Sequence, residues 1–149
     1  MADGPRGYAV RIDIQADGRR VWRGFNESPH LARWCSDGAA TSARAGGSFR
    51  AALDRHSEML AHIDIFEPPR RIRLIHLPAA GAESSDSARV DDILFEARTT
   101  ETIVRVLGSG FLANPHDDAL LRQYRAGWRL ALARMKVYLE KHLDEVKTP

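Results

Sequence analysis

Hydrophobic positions along this chain follow two periods. Near the start, Tyr8-Ala9-Val10-Arg11-Ile12-Asp13-Ile14 alternates apolar and polar residues. That is the pattern of a half-buried strand with Val10, Ile12 and Ile14 facing inward. Asp17-Gly18 then opens a short stretch in which Val21, Trp22 and Phe25 lie at helical spacing. A second short helix is predicted from Ser28-Pro29, with the serine as N-cap and the proline at the first helical position. It carries Leu31 and Trp34 and ends at Asp37-Gly38.

From residue 39 to residue 111 the period is mostly two. Gly46-Gly47 marks a tight turn between strands. After it Phe49, Ala51 and Leu53 share one face, and Met59, Ala61, Ile63 and Ile65 form the next inward row. Pro68-Pro69 breaks that strand. Ile72, Leu74 and His76 then alternate with Arg73, Ile75 and Leu77. Residues 78–88, rich in Ala, Gly and Ser, read as a mobile loop. Two further strands follow, with Ile93, Phe95 and Ala97 on one inward face and Thr102, Val104 and Val106 on the other. Gly108-Ser109-Gly110 is expected to end the last of them.

The period changes to 3.6 after Asn114-Pro115, a helix start with Asp117 and Asp118 at its positive end. Leu120, Leu121, Tyr124, Trp128, Ala131, Leu132, Met135, Tyr138 and Leu139 form one apolar stripe. Over residues 115–143 such a helix is about 43 Å long. The order is therefore strand, two short helices, about six strands and a long helix. Strands joined by short turns argue for an antiparallel meander, and the helix stripe matches the sheet face that needs cover.

Composition narrows the class. The 149 residues are 44% hydrophobic and 28% charged, which is globular. They are expected to form one domain, with a core of about residues 8–143. No apolar run approaches the roughly 20 residues of a membrane span, and the N-terminus has no apolar signal-peptide core, so cytoplasmic residence is the default. The one cysteine, Cys35, allows no internal disulfide and reads as a small core residue. The net charge is +2 and arginines are interleaved with acids, without the basic stripe of a nucleic-acid binder. Edge strands are available for pairing in a homodimer, although an arginine-rich surface resists it.

The carrying segments are Val21-Trp22, Arg33-Trp34, Gly46-Gly47-Ser48-Phe49-Arg50, Phe66-Glu67-Pro68-Pro69-Arg70-Arg71-Ile72, Gly108-Ser109-Gly110-Phe111 and Gly127-Trp128. In this order and spacing the chain resembles the START and birch-pollen-allergen superfamily, also called SRPBCC. Within it, it is similar to the heat-shock-protein-90 ATPase activator homologue-like family. The resemblance implies an α+β helix-grip fold, a curved antiparallel sheet wrapped around a long C-terminal helix. Two positions depart from the family pattern: Ile65 stands where many relatives carry an acid, and His76 where they often carry tryptophan. The family's co-chaperone activity belongs to larger proteins with an additional domain.

No HxxxH or HExxH spacing exists, so no metal or other cofactor is expected and no catalytic residue is assigned. His62 and Asp64 share a strand face, but the polar one. Ser109 in Gly-Ser-Gly lacks the surroundings of a nucleophile elbow. A bent sheet around one straight helix tends to leave space at one end, and inward Ala51, Ala61 and Ala97 leave room. The expected occupant is a small apolar or aromatic molecule. The candidate walls are Trp34, Phe49, Ile63, Leu74, His76, Phe95, Phe111, Tyr124 and Trp128. An enzyme of the cyclase, aromatase or dehydratase type, with His76 and Tyr124 as acid and base, is the alternative. A chaperone ATPase modulator is a third reading, by analogy with the family.

Overall fold

The structure, a computed structural model, describes residues 6–77 and 89–141. The predicted loop 78–88 and the end of the last helix at 142–143 lie outside the described residues. The order is β1 (Arg6–Ile14), α1 (Gly18–Asn26), α2 (Ser28–Trp34), β2 (Ala40–Thr41), β3 (Ser48–Ala52), β4 (Glu58–Glu67), β5 (Arg71–His76), β6 (Val90–Ala97), β7 (Thr102–Phe111) and α3 (Pro115–Lys141). The strands form one antiparallel sheet in the order β1-β7-β6-β5-β4-β3-β2. The last strand thus sits between the first and the sixth. One face of this curved sheet grips α3, whose Tyr124, Trp128, Ala131, Leu132, Met135, Tyr138 and Leu139 are all buried. This is the α+β helix-grip arrangement.

Local chemistry explains the helix starts. Asp17 accepts a hydrogen bond from the Arg20 amide at the head of α1, and Asn114 Oδ1 accepts one from Asp117 at the head of α3. At α2 the expected serine cap does not form. Glu27 occupies the cap position, and Ser28 lies inside the helix. The Ser28 hydroxyl instead donates to the Thr41 carbonyl and accepts from the Thr41 amide, tying α2 to β2.

Two strand expectations also change. Ile65 is only partly buried, because an extra residue in β4 between Ile63 and Ile65 shifts the register against β5. Beyond this bulge Phe66 packs against the core and Ile65 leaves the inward row. Gly108-Ser109-Gly110 does not end β7, which runs through it to Phe111. Gly108 stands opposite Tyr8 of β1, and a Cβ there would lie 2.2 Å from Tyr8 Cζ. The glycine admits a ring laid flat over the strand rather than breaking the ladder.

Phe25 of α1 centres the aromatic core. It stacks on Phe49 (5.6 Å, 15°), meets Phe95 edge-on (5.7 Å, 77°) and lies against Trp34 (5.9 Å). Arg134 of α3 donates to the carbonyls of Trp34, Cys35 and Leu53, fastening the end of α2 to the long helix. A cation is favoured at a helix C-terminus, where carbonyls lack partners.

Candidate functional site: a buried polar chain beneath the long helix

The register places five residues in one row across the sheet. Ile63 faces Leu74, Leu74 faces Asp91, Asp91 faces Gly108 and Gly108 faces Tyr8. Strands are spaced about 4.8 Å apart, so Tyr8 and Asp91 sit roughly 10 Å apart across β7. The missing side chain at Gly108 lets the Tyr8 ring span that gap. Its hydroxyl donates to Asp91 Oδ1 at 2.5 Å.

The second Asp91 oxygen faces His76, one inward step along β5 from Leu74. His76 Nε2 lies 2.7 Å from Asp91 Oδ2. The tautomer with its proton on Nε2 is the one that donates to the Asp91 carboxylate across this contact. Asp91 is wholly buried, and the His76 side chain is only 6% exposed. The result is a chain of three polar groups, Tyr8–Asp91–His76, set in an apolar interior.

Other groups close around it. The Tyr124 ring meets His76 edge-on with centroids 5.6 Å apart, and the Arg89 guanidinium lies 5.3 Å from the Tyr124 centroid. Phe111 packs at 5.9 Å from the Tyr8 ring. The Tyr124 hydroxyl donates to the Glu58 carbonyl at 2.6 Å, so it holds β4 to α3. Burial, and then the neighbouring Asp91 charge, push the Tyr8 hydroxyl well above the usual phenol range. Burial also pushes Tyr124 up. Both stay protonated across physiological pH.

Trp128 completes this end. Its side chain is fully buried, and its indole Nε1 has no hydrogen-bond partner among the described residues. The indole N–H lies near enough to the Tyr8 hydroxyl to favour its ionised form slightly, but no hydrogen bond joins them. Arg89 Nε is likewise buried without a partner among the described residues.

The nine candidate wall residues thus divide. Ile63, Leu74 and His76 lie in or beside the Asp91 row, Tyr124 touches His76, Phe111 touches Tyr8, and Trp128 adjoins Tyr8. Trp34, Phe49 and Phe95 gather on Phe25 instead. Two depressions among the described residues open on the outside of the fold. One, about 650 Å³, runs along α2 and α3 past Trp34, Leu130, Val137 and Tyr138. The other, about 850 Å³, lies between the start of α1 and the β4–β5 turn and reaches Phe95. Neither is lined by His76, Tyr124 or Trp128.

Sequence reasoning missed Tyr8, Arg89 and Asp91. The signal was present for two of them. Counting back two places from Ile93 puts Asp91 on the inward face, and counting back two from Val10 puts Tyr8 there. Cys35 is buried, and burial pushes its thiol up to about 11, so it is an inert core residue. Among the described residues no three His, Cys, Asp or Glu side chains converge as a metal site requires, and no helix is long and apolar enough to cross a membrane.

The sheet, the two short helices and the long gripped helix define a helix-grip protein with a polar chain buried under its C-terminal helix. The family pattern described as "Activator of Hsp90 ATPase homolog 1-like protein" matches residues 15–140, and the chain belongs to that family. Solved structures agree on the fold. CalU16 from Micromonospora echinospora is 16% identical, with a TM-score of 0.68 over 91% of this chain and 80% of that one. The Aha1 dimer from Colwellia psychrerythraea is 15% identical, with a TM-score of 0.70 over 89% and 94%. PFC0360w, an HSP90 activator from Plasmodium falciparum, is 14% identical, with a TM-score of 0.70 over 89% and 95%. At these identities the likeness is one of fold. No curated protein matches the chain in sequence.

Proposed function

We propose that this protein binds a small, largely apolar or aromatic molecule between the sheet and α3, at the end marked by His76, Asp91 and Trp128. The observation that carries this reading is Trp128 Nε1, a buried donor that falls short of a hydrogen bond to the nearby Tyr8 hydroxyl and has no other partner among the described residues. A buried donor left without a partner costs about 1–3 kcal/mol. A ligand oxygen placed there would relieve that cost. The reading therefore specifies an acceptor on the ligand: a carbonyl, a phenol or a carboxylate. Ile63, Leu74, Phe111 and Tyr124 supply apolar surface around it, and the Tyr8–Asp91–His76 chain supplies a fixed polar wall.

The test is a thermal-shift panel of aromatic carbonyl, phenol and carboxylate compounds on the wild type and on Trp128→Phe, which removes the donor and keeps the ring. Binding to the folded form alone raises stability by about 2.7 kcal/mol at a hundredfold excess over Kd. At least one compound is expected to stabilise the wild type and to bind Trp128→Phe about tenfold more weakly, the worth of one hydrogen bond in a dry site. A panel that stabilises nothing, or binders indifferent to Trp128→Phe, would overturn the reading.

The Asp91–His76 pair favours a second reading, in which the bound molecule is a substrate. A carboxylate that fixes one ring nitrogen leaves Nδ1 to exchange a proton, the role a cyclase, aromatase or dehydratase needs. Tyr124 is a poor partner acid, since its hydroxyl is engaged by Glu58. Turnover of a bound compound, lost in His76→Gln while binding persists, separates catalysis from carriage. Modulation of a chaperone ATPase rests on family membership alone. An ATPase assay with excess protein and no stimulation removes it.

A further inference from the structure

A concave region lies away from the proposed interior site, at the opposite end of β6 from Asp91. Phe95 and Ala97 line it, and Ala97 is six residues, roughly 20 Å along the strand, from Asp91. Its volume of about 850 Å³ is that of a small-molecule site. Its aromatic wall is Trp22. That indole is braced on two sides, edge-on against Phe95 (5.0 Å, 71°) and tilted against Phe66 (5.3 Å, 52°). It is therefore a fixed flat surface rather than a swinging side chain.

The charges around Trp22 are one-sided. Arg19, Arg23, Arg70 and Arg98 line the groove, with Asp17 as its one acid. Asp17 is already engaged, capping α1 through the Arg20 amide and pairing with the Arg20 guanidinium at 3.3 Å. Arg23 is held by Glu27 at 2.7 Å, and Arg98 by Glu96 at 2.9 Å. Arg19 and Arg70 have no ion pair or side-chain hydrogen bond among the described residues. The groove thus offers the small exposed part of a braced, mostly buried indole and two guanidinium groups without an acid partner among the described residues, which suit planar, forked hydrogen bonding to an oxyanion.

We propose that this groove is a binding site for a planar aromatic anion, an aryl carboxylate or sulfonate, with its ring against Trp22 and its charge between Arg19 and Arg70. It is separate from the interior site and does not depend on it.

The test uses 8-anilinonaphthalene-1-sulfonate as an anionic probe and N-phenyl-1-naphthylamine as its uncharged counterpart, on the whole chain. Binding is followed by fluorescence and by the three tryptophan indole N–H resonances. Both arginines are exposed, so Arg19→Gln/Arg70→Gln leaves the core untouched. The sulfonate is expected to move the Trp22 resonance. It is also expected to bind the double variant about tenfold more weakly, with the difference shrinking in high salt as exposed charges are screened. The uncharged probe should not distinguish the two proteins. Equal sulfonate affinity for both proteins would overturn the proposal. So would a probe that moves Trp128 and leaves Trp22 in place, while leaving the interior reading standing. An acidic peptide that displaces the probe at lower concentration than 2-naphthoate would also overturn it, by making the groove a protein-docking surface.

Discussion

Replacing Tyr8 by phenylalanine removes one oxygen from the protein and isolates the chain beneath α3. The ring stays over Gly108 and against Phe111, so packing is kept. What changes is Asp91. It is wholly buried, and its Oδ1 loses its hydroxyl donor while Oδ2 stays on His76. A hydrogen bond to a charged group is worth about 1.5–3 kcal/mol, and an acceptor stranded in a dry interior bears its full desolvation cost. Tyr8→Phe is therefore expected to lose about 2–3 kcal/mol, roughly 30- to 150-fold in the folding constant. Urea unfolding followed by tryptophan fluorescence measures this, with an unchanged m-value showing that the unfolded state is the same. In an Asp91→Leu background no acceptor is left stranded, and Tyr8→Phe should then cost almost nothing. Alkaline pH supplies a second check. The Tyr8 hydroxyl is raised in the folded state, so its contribution is fully present below about pH 10 and is lost as pH rises beyond the ordinary phenol value. The gap between wild type and Tyr8→Phe should close above that pH. A loss under about 0.5 kcal/mol at neutral pH, or equal losses with and without Asp91, would mean that the Tyr8 hydroxyl does not serve the buried carboxylate.

Further outcomes follow from the same geometry. Gly108→Ala places a Cβ 2.2 Å from Tyr8 Cζ, so the ring must leave Asp91; a loss of about 3 kcal/mol in urea unfolding is expected, and much less in a Tyr8→Ala background. Asn114→Ala removes the cap that accepts the Asp117 amide and should cost about 1 kcal/mol, while Asn114→Asp should be nearly neutral. Burial raises the Cys35 thiol from 9.0 to about 11, so about 3 kcal/mol of stability present below pH 9 should disappear between pH 9 and 11. Cys35→Ala should lack that slope when unfolding is measured across the same range.

The meander and the long helix were legible because each buries one face, and burial on one face writes period two or 3.6 into the sequence. The helix stripe from Leu120 to Leu139 and the inward row of Ile72, Leu74 and His76 are both found as read. The exceptions share a cause: each depends on a residue far away in sequence. Gly108 looks like a strand end until Tyr8 is known to lie opposite. Ser28 looks like a cap until Thr41 is known to sit beside it. The extra residue between Ile63 and Ile65 shows only against β5. The site was half legible for the same reason. His76 stood out as a polar residue on an apolar face. Asp91 did not, because an acid at a strand start reads as a solvated end until its two partners arrive from β1 and β5.

The proposed interior site rests on the buried N–H of Trp128, and its indole resonance reports on that group directly. Titrating the protein with whichever compound gives the largest thermal shift should move the Trp128 Nε1–H signal downfield and slow its exchange with solvent, as a hydrogen bond to the ligand forms. A compound that stabilises the fold yet leaves that signal where it was would contradict the account.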